Sequence, residues 1–200
     1  MGEPVKIKLF YNFRSPYCYL ATRSMFRLID NYNAEFEWRA LGGWSGRSSP
    51  ERAAKKIHIA RQDGKRWAAR LGIPFVPPPK TTDPTRAGAG SLLAQERGKL
   101  REYILLVMQA EWTQGKDIGD LDVLLGAGTQ AGLDRDELAE AVDDPARLQV
   151  LEDNWAHAEE LGAYGVPIFM VGDEIFWGND RIEFVEEYLS QMGANLKPPL

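Results

Sequence analysis

The sequence contains few of the residues that build disulfides and metal sites. Among its 200 residues there is one cysteine, Cys18, and there are two histidines, His58 and His157. One cysteine excludes an internal disulfide and a multi-cysteine metal site. The two histidines lie far apart in charged helical stretches, so they form no zinc motif and are interpreted as surface residues. We expect no resident metal.

Long apolar runs and concentrated positive charge are lacking as well. No stretch approaches the ~18 apolar residues of a membrane span, and the chain passes from Met1 into a strand pattern without a signal-type segment. The formal net charge is −5 and the basic residues are scattered, which does not favour nucleic-acid binding. We expect a cytoplasmic protein that binds neither membranes nor nucleic acids. The oligomeric state is left open, a homodimer being one option.

The first forty residues have the pattern of a strand, a helix and a strand. Val5–Tyr11 alternates apolar and polar residues before becoming fully apolar, as a strand entering a core does. Ser15 and Pro16 then provide an N-cap and a proline at the first helical position. Apolar residues recur at helical spacing over 17–32, and 36–41 alternates again. A unit of roughly thirty residues fits a βαβ crossover with parallel strands.

The middle of the chain has a helical pattern for more than a hundred residues. A cap and proline at Ser49-Pro50 predict a helix that Gly72 ends. Five prolines make 73–90 a long, stiff surface loop, and such loops are often functional. Further helices are predicted over 91–113, 121–125, 135–142 and 146–161.

The strand signal returns near the C-terminal end. The pattern predicts strands over 166–171 and 174–177, joined at Gly172-Asp173 as an antiparallel hairpin. Asp180 to Glu183 has the form of a capping box before a helix over 182–192. The sum is an α/β protein of the thioredoxin-like fold (βαβ … ββα). Residues 1–43 and 163–200 form the thioredoxin-like domain, and residues 44–162 form an all-helical inserted domain.

Ser15 is the first candidate for chemistry. A helix N-terminus carries free N–H groups and about half a positive charge, so it stabilises an anion such as a thiolate. Lowering a thiol pKa of about 8.5 by ~2 units takes about 2.7 kcal/mol. One hydrogen bond to a charged group (~1.5–3 kcal/mol) and the helix terminus (~0.3–1 kcal/mol) together supply this. The alternative is that Ser15 only caps the helix.

Two further segments also have a structural and a functional interpretation. Val166-Pro167 enters a strand, where proline is tolerated at the first position; a cis peptide there would instead turn the Val166 backbone towards Ser15, to pair with a peptide-like ligand. Trp177-Gly178-Asn179-Asp180 is a glycine turn before a cap. Alternatively, it offers helix N–H groups to a carboxylate and Asp180 to an ammonium. Cys18 is expected to point inward.

Four motifs in register resemble the 2-hydroxychromene-2-carboxylate isomerases, relatives of the kappa-class glutathione transferases and, more distantly, of DsbA. The opening motif runs from Phe10 to Ala21 and contains Ser15, and Asp63-Gly64-Lys65-Arg66-Trp67-Ala68 with Leu71-Gly72-Ile73-Pro74 is similar to the insert-helix motif. Gly165-Val166-Pro167 and the segment from Phe176 to Arg181 resemble the closing motif. The resemblance covers nearly the whole chain.

The resemblance implies a glutathione-dependent enzyme of aromatic catabolism. Ser15 is then the catalytic residue that contacts the glutathione sulfur. Val166 and Pro167 bind the cysteinyl part, and Trp177, Gly178, Asn179 and Asp180 hold the γ-glutamyl end. The implied reaction is reversible addition of the glutathione thiolate to a conjugated carbon, rotation about the resulting single bond, and elimination. Glutathione is regenerated.

The departures from this family fall on the side where substrate binds. The lysine that follows the second strand in the family corresponds to Ser45, an Asn-Arg pair corresponds to Pro50-Glu51, and a tyrosine corresponds to Thr81. A buried substrate carboxylate without a cation is costly, so Arg47 or Lys55 would have to compensate. We therefore keep three alternatives to an isomerase: a kappa-like transferase for other electrophiles, a DsbA-like oxidoreductase, and a non-catalytic glutathione- or peptide-binding module.

Overall fold

A four-stranded mixed sheet positions the N-terminal and C-terminal parts of the chain side by side. The computed structural model describes residues 2–43, 50–163 and 165–196, with the backbone alone at 50–54. Strands β1 (Val5–Tyr11) and β2 (Ala34–Ala40) are parallel, and Val5 lies opposite Ala34. Strand β3 (Ile168–Val171) is antiparallel to β1 and pairs with β4 (Glu174–Trp177) in a hairpin. The order β2-β1-β3-β4 confirms the thioredoxin-like fold.

The predicted helix over 17–32 is wrong in its extent, because it forms as two short helices. Helix α1 (Pro16–Ala21) ends at Thr22, and α2 (Arg27–Asp30) begins after a turn. The Thr22 hydroxyl donates to the Tyr19 carbonyl at 2.6 Å. Such a local bond competes with the helical pattern, and the following amides bond to carbonyls three residues back.

The helical region differs from the prediction mainly in its first half. Helix α3 (Pro50–Leu71) ends at Gly72 as expected, but the proline-rich loop, residues 72–84, is shorter than predicted. Pro84 precedes α4 (Thr85–Glu96), and Gly98, at φ 65°, separates it from α5 (Leu100–Trp112). The Lys99 amide bonds to the Ala94 carbonyl at 2.7 Å, which closes α4. The single helix predicted over 91–113 is therefore wrong.

The remaining helices begin within one residue of their predicted positions, but the helix predicted over 121–125 extends to Gln130. Asp120, Asp134 and Asp144 cap α6 (Leu121–Gln130), α7 (Arg135–Ala141) and α8 (Pro145–Glu160). The capping box at Asp180 is wrong, because a 3₁₀ turn (Asn179–Arg181) leads into α9 (Ile182–Gln191) without a side-chain cap.

The core joins the sheet to the helical region. One cluster of buried side chains contains Ile7 and Leu9 of β1 together with Tyr103 and Trp112 of α5. A smaller cluster covers the opposite face of the sheet beneath α8. Within the described residues, no helix is long and apolar enough to span a membrane.

Candidate active site

Ser15 immediately precedes α1, four residues after the end of β1. Its backbone is extended (φ −85°, ψ 120°), and its Oγ accepts the amide N–H of Cys18 at 3.3 Å. The N-cap prediction is thereby confirmed. Pro16 has no N–H to give, so in the described structure Tyr17 supplies the free backbone donor of the first turn. The helix terminus offers an anion one N–H and the Ser15 hydroxyl.

The Ser15 hydroxyl reaches across to the far end of the chain. It donates to the carbonyl oxygen of Val166 at 3.0 Å, and the Val166-Pro167 peptide bond is cis. The Val166 carbonyl therefore faces Ser15, and its second lone pair can accept an N–H from a ligand.

The segment after β4 lies against the same helix. The Gly178 amide bonds to the Pro167 carbonyl at 3.0 Å, and the 3₁₀ turn with Asn179 contacts α1. Gly178 has φ +114°, a conformation that favours glycine. Trp177 is 54% exposed, with its indole edge against Gly165. The structure thus places Ser15, Val166-Pro167 and residues 177–180 together.

Asp180 is predicted to be free to pair with an ammonium, but its carboxylate is already paired. Its Oδ2 accepts a hydrogen bond from Arg181 Nη1 at 2.7 Å. Both side chains are exposed, and exposed pairs of this kind contribute only ~0–1 kcal/mol. A ligand ammonium could therefore exchange with Arg181 at little cost.

A tyrosine links this site to the helical region. The Tyr17 hydroxyl donates to Asp63 Oδ2 of α3 at 3.1 Å. Burial raises the pKa of Tyr17 to about 12, with the negative charges of Asp63 and Asp180 acting in the same direction. Tyr17 therefore stays protonated, with its hydroxyl bonded to Asp63.

Cys18 takes no nucleophilic position. Its side chain is 3% exposed, and burial raises the pKa of the thiol to about 12. The inward orientation predicted for Cys18 is confirmed. A protonated, buried thiol without a second cysteine cannot exchange disulfides by itself.

The predicted substrate-side residues are only partly visible. Ser45 and Arg47 lie outside the described residues, and the side chains of Pro50 and Glu51 at the start of α3 do as well. Thr81 is exposed on the proline-rich loop, and Lys55 is exposed on α3.

Hydrogen bonds hold the proline-rich loop at several points along its length, so the loop forms a rigid surface. The Tyr19 hydroxyl donates to the Pro74 carbonyl at 2.7 Å, and Arg61 Nη2 donates to the Pro78 carbonyl at 2.6 Å. The Val76 amide bonds to the Trp112 carbonyl at 2.7 Å. These bonds tie the loop to α1, α3 and α5.

Sequence reasoning missed two buried charged residues near this loop, Arg14 and Glu111. Arg14 is 8% exposed and Glu111 is fully buried. Burial raises the pKa of Glu111 well above its ordinary value, against the opposing charge of Arg14. The available signal was the position of Glu111 on α5, three residues after Met108 on the buried face.

Comparison with known proteins identifies the family of this chain. The model of the DSBA-like thioredoxin domain matches residues 6–190. A 2-hydroxychromene-2-carboxylate isomerase of Sphingobium xenophagum is 30% identical and covers 92% of this chain and 97% of its own. Human glutathione S-transferase kappa 1 is 24% identical over 98% of this chain and 96% of its own.

A solved structure shares the overall fold of this chain. The structure of a 2-hydroxychromene-2-carboxylate isomerase superposes with a TM-score of 0.78 at 25% identity, covering 94% of this chain and 96% of that one. The resemblance noted in the sequence is confirmed across the whole fold. The chain is an enzyme of the DsbA-like thioredoxin family that includes the 2-hydroxychromene-2-carboxylate isomerases.

Proposed function

We propose that this enzyme is a glutathione-dependent isomerase of the 2-hydroxychromene-2-carboxylate type. The observation that carries the proposal is the Ser15 hydroxyl at the start of α1, 3.0 Å from the Val166 carbonyl. One face of the molecule thereby offers a hydroxyl donor for a thiolate and a backbone acceptor for a peptide. The kinship with a glutathione transferase supports glutathione as the cofactor.

The residues present fit a thiol tripeptide. The Ser15 hydroxyl can turn from the Val166 carbonyl to donate to an anion, and that carbonyl, with two acceptor lone pairs, accepts an N–H from the peptide part. The 3₁₀ turn that begins at Asn179 and the carboxylate of Asp180 suit the charged amino-acid head, because Asp180 can exchange Arg181 for an ammonium. Trp177 is the apolar surface beside them.

Glutathione bound in this way would supply a thiolate that adds to a conjugated carbon of the substrate and is eliminated after bond rotation. Ser15 stabilises the negative charge before addition and again on elimination. Tyr17 is held protonated by burial and by Asp63. Its hydroxyl donates a hydrogen bond to Asp63 and takes no proton from the thiol. Reduced glutathione is maintained in the cytosol, so the proposal places the enzyme in the cytoplasm.

The second candidate is a kappa-like transferase acting on other electrophiles. Ser45 at the position of the family lysine favours it, because a substrate carboxylate then lacks its usual cation. Measuring glutathione during turnover separates the two: an isomerase leaves its concentration unchanged, whereas a transferase consumes one molecule per product. A DsbA-like activity is disfavoured by the single buried Cys18.

The test of the proposal is the ionisation of bound glutathione, followed by the ultraviolet absorbance of its thiolate. In Ser15→Ala, loss of a hydrogen bond worth ~1.5–3 kcal/mol should raise the bound thiol pKa by ~1–2 units, with a ~10–100-fold lower rate near neutral pH. Affinity measured by calorimetry should change little.

Ser15→Asp is the matched control for the cap. An aspartate caps a helix as well as serine does, yet its charge repels a thiolate, so we expect a folded protein without thiolate absorbance. Wild type that binds glutathione without ionising it would be a binding module. Full turnover in Ser15→Ala would rule out the proposed role of Ser15.

A further inference from the structure

The side chain of Arg14 extends into the proline-rich loop, although its backbone precedes Ser15 directly. Its Nε donates to the Thr82 carbonyl at 3.0 Å and its Nη2 donates to the Lys80 carbonyl at 2.9 Å. These two carbonyls flank Thr81. A guanidinium presents its donors in a rigid planar fork, so the two bonds fix the Thr81 peptide on both sides.

The backbone of the Ser15 segment is secured by a different residue. Asn12 Oδ1 accepts the Arg14 amide N–H at 2.8 Å, and Asn12 Nδ2 donates to the Leu41 carbonyl at 2.8 Å, just beyond β2. The turn that delivers Ser15 to α1 is thus held without the Arg14 guanidinium. The bonds of that guanidinium to the Thr82 and Lys80 carbonyls serve the loop instead.

Burying the charged Arg14 side chain to hold the loop costs free energy. Moving a charge out of water costs several kcal/mol unless partners compensate for it. The acidic group that acts most strongly on Arg14 is Glu111, whose two carboxyl oxygens have no hydrogen-bond partner in the described part of the chain. Burial raises the pKa of Glu111 well above its ordinary value, so this acid does not neutralise the guanidinium. A neutral side chain would fill this volume at lower cost, so a need for defined loop geometry explains the arginine better than packing does.

We propose that Arg14 is a positioning residue: it fixes the Thr81 peptide relative to Ser15 and thereby sets which electrophiles react with the cofactor thiol. This inference rests on the proposed function. Ser15 determines the ionisation of the thiol, and Thr81 is the loop position that the family resemblance assigns to the substrate side. One side chain therefore ties the cofactor side of the site to the substrate side.

The experiment compares Arg14→Met with wild type using two electrophiles of different shape, 2-hydroxychromene-2-carboxylate and chlorodinitrobenzene. Glutathione affinity and thiolate absorbance should stay within about twofold of wild type. The value of kcat/KM should fall at least ~10-fold for the better electrophile, as misplacement by an ångström can cost ~100-fold. The ratio between the two electrophiles should change.

Arg61→Met is the matched control, because Arg61 bonds the same loop at Pro78, outside the residues that flank Thr81. We expect it to keep the electrophile ratio of wild type. Arg14→Lys can reach one carbonyl at a time and should recover part of the loss. If Arg14→Met does not fold, the double variant with Glu111→Gln removes the stranded acid and is measured in the same way.

Two results would overturn the inference. An unchanged electrophile ratio in Arg14→Met would show that the loop position does not depend on Arg14. A proportional loss of thiolate absorbance and turnover would show that Arg14 merely holds the site together. Failure of wild type to ionise glutathione would instead refute the proposed function, so the two failures are distinguishable.

Discussion

At Glu111 a carboxyl group lies in the core with its pKa raised well above the ordinary range, chiefly because burial disfavours the charged form. The folded state therefore keeps a proton that the unfolded chain loses above pH ~4.3. Between the pKa of Glu111 in the unfolded chain and its higher pKa in the folded state, the free energy of unfolding falls as pH rises. The fall is up to ~1.4 kcal/mol per pH unit for one proton. Glu111→Gln should remove this loss.

The measurement is urea unfolding of wild type and Glu111→Gln at several pH values between about 4 and 8. The difference in the free energy of unfolding, Glu111→Gln minus wild type, should increase as pH rises. Glu102→Gln, on the exposed side of α5, is the matched control. A constant difference between Glu111→Gln and wild type would contradict the raised pKa.

Single residues differ in how well the sequence predicts them. Ser15 is predictable because a cap, a proline and a preceding strand are local signals. Arg14 and Glu111 lie 97 positions apart, as the difference between their numbers shows, and only the folded chain brings the two side chains near each other. No local pattern encodes such a pair.

Helices α1 and α3 are joined by the bond from Tyr17 to Asp63. We expect Tyr17→Phe and Asp63→Asn to be less than additive, because either change weakens the same bond. Their coupling energy should be about 0.5–1.5 kcal/mol, the range for one hydrogen bond. The measurement is a double-mutant cycle of unfolding free energies, and additive effects would show that the contact contributes nothing to stability.

Elements are predicted where their boundaries are local and missed where they depend on tertiary context. The three aspartate caps and the hairpin at Gly172 follow directly from sequence. Apolar spacing continues through Thr22 and Gly98, so periodicity alone joins helices that the backbone separates there. The capping box failed because a 3₁₀ turn occupies its first positions.

The molecule as a whole shares its core between the sheet and the helical region. Trp112 Nε1 of α5 donates to the Phe13 carbonyl at 2.9 Å, and the Tyr11 hydroxyl of β1 donates to Ser91 Oγ of α4 at 2.9 Å. We therefore expect a single cooperative unfolding transition. Hydrogen exchange followed by mass spectrometry in urea should show β1 and α5 losing protection together.

The division into residues 1–43 with 163–200 and residues 44–162 stays a prediction, and the same experiment tests it. Two separate transitions, with α5 and β1 exchanging at different urea concentrations, would establish two units that fold independently. One shared transition would mean that the inserted helices, although they form a separate part of the chain topology, unfold together with the sheet.

The bond between Ser15 and Val166 joins residues 151 positions apart. Since the ribosome makes the N-terminal part first, the nascent chain carries Ser15 long before its partner exists. The cis-proline loop, the hairpin and α9 emerge after all the other elements that the structure describes. A translation product that stops before Val166 therefore contains Ser15 but lacks the carbonyl that its hydroxyl bonds. We expect such a product to be inert, not partly active.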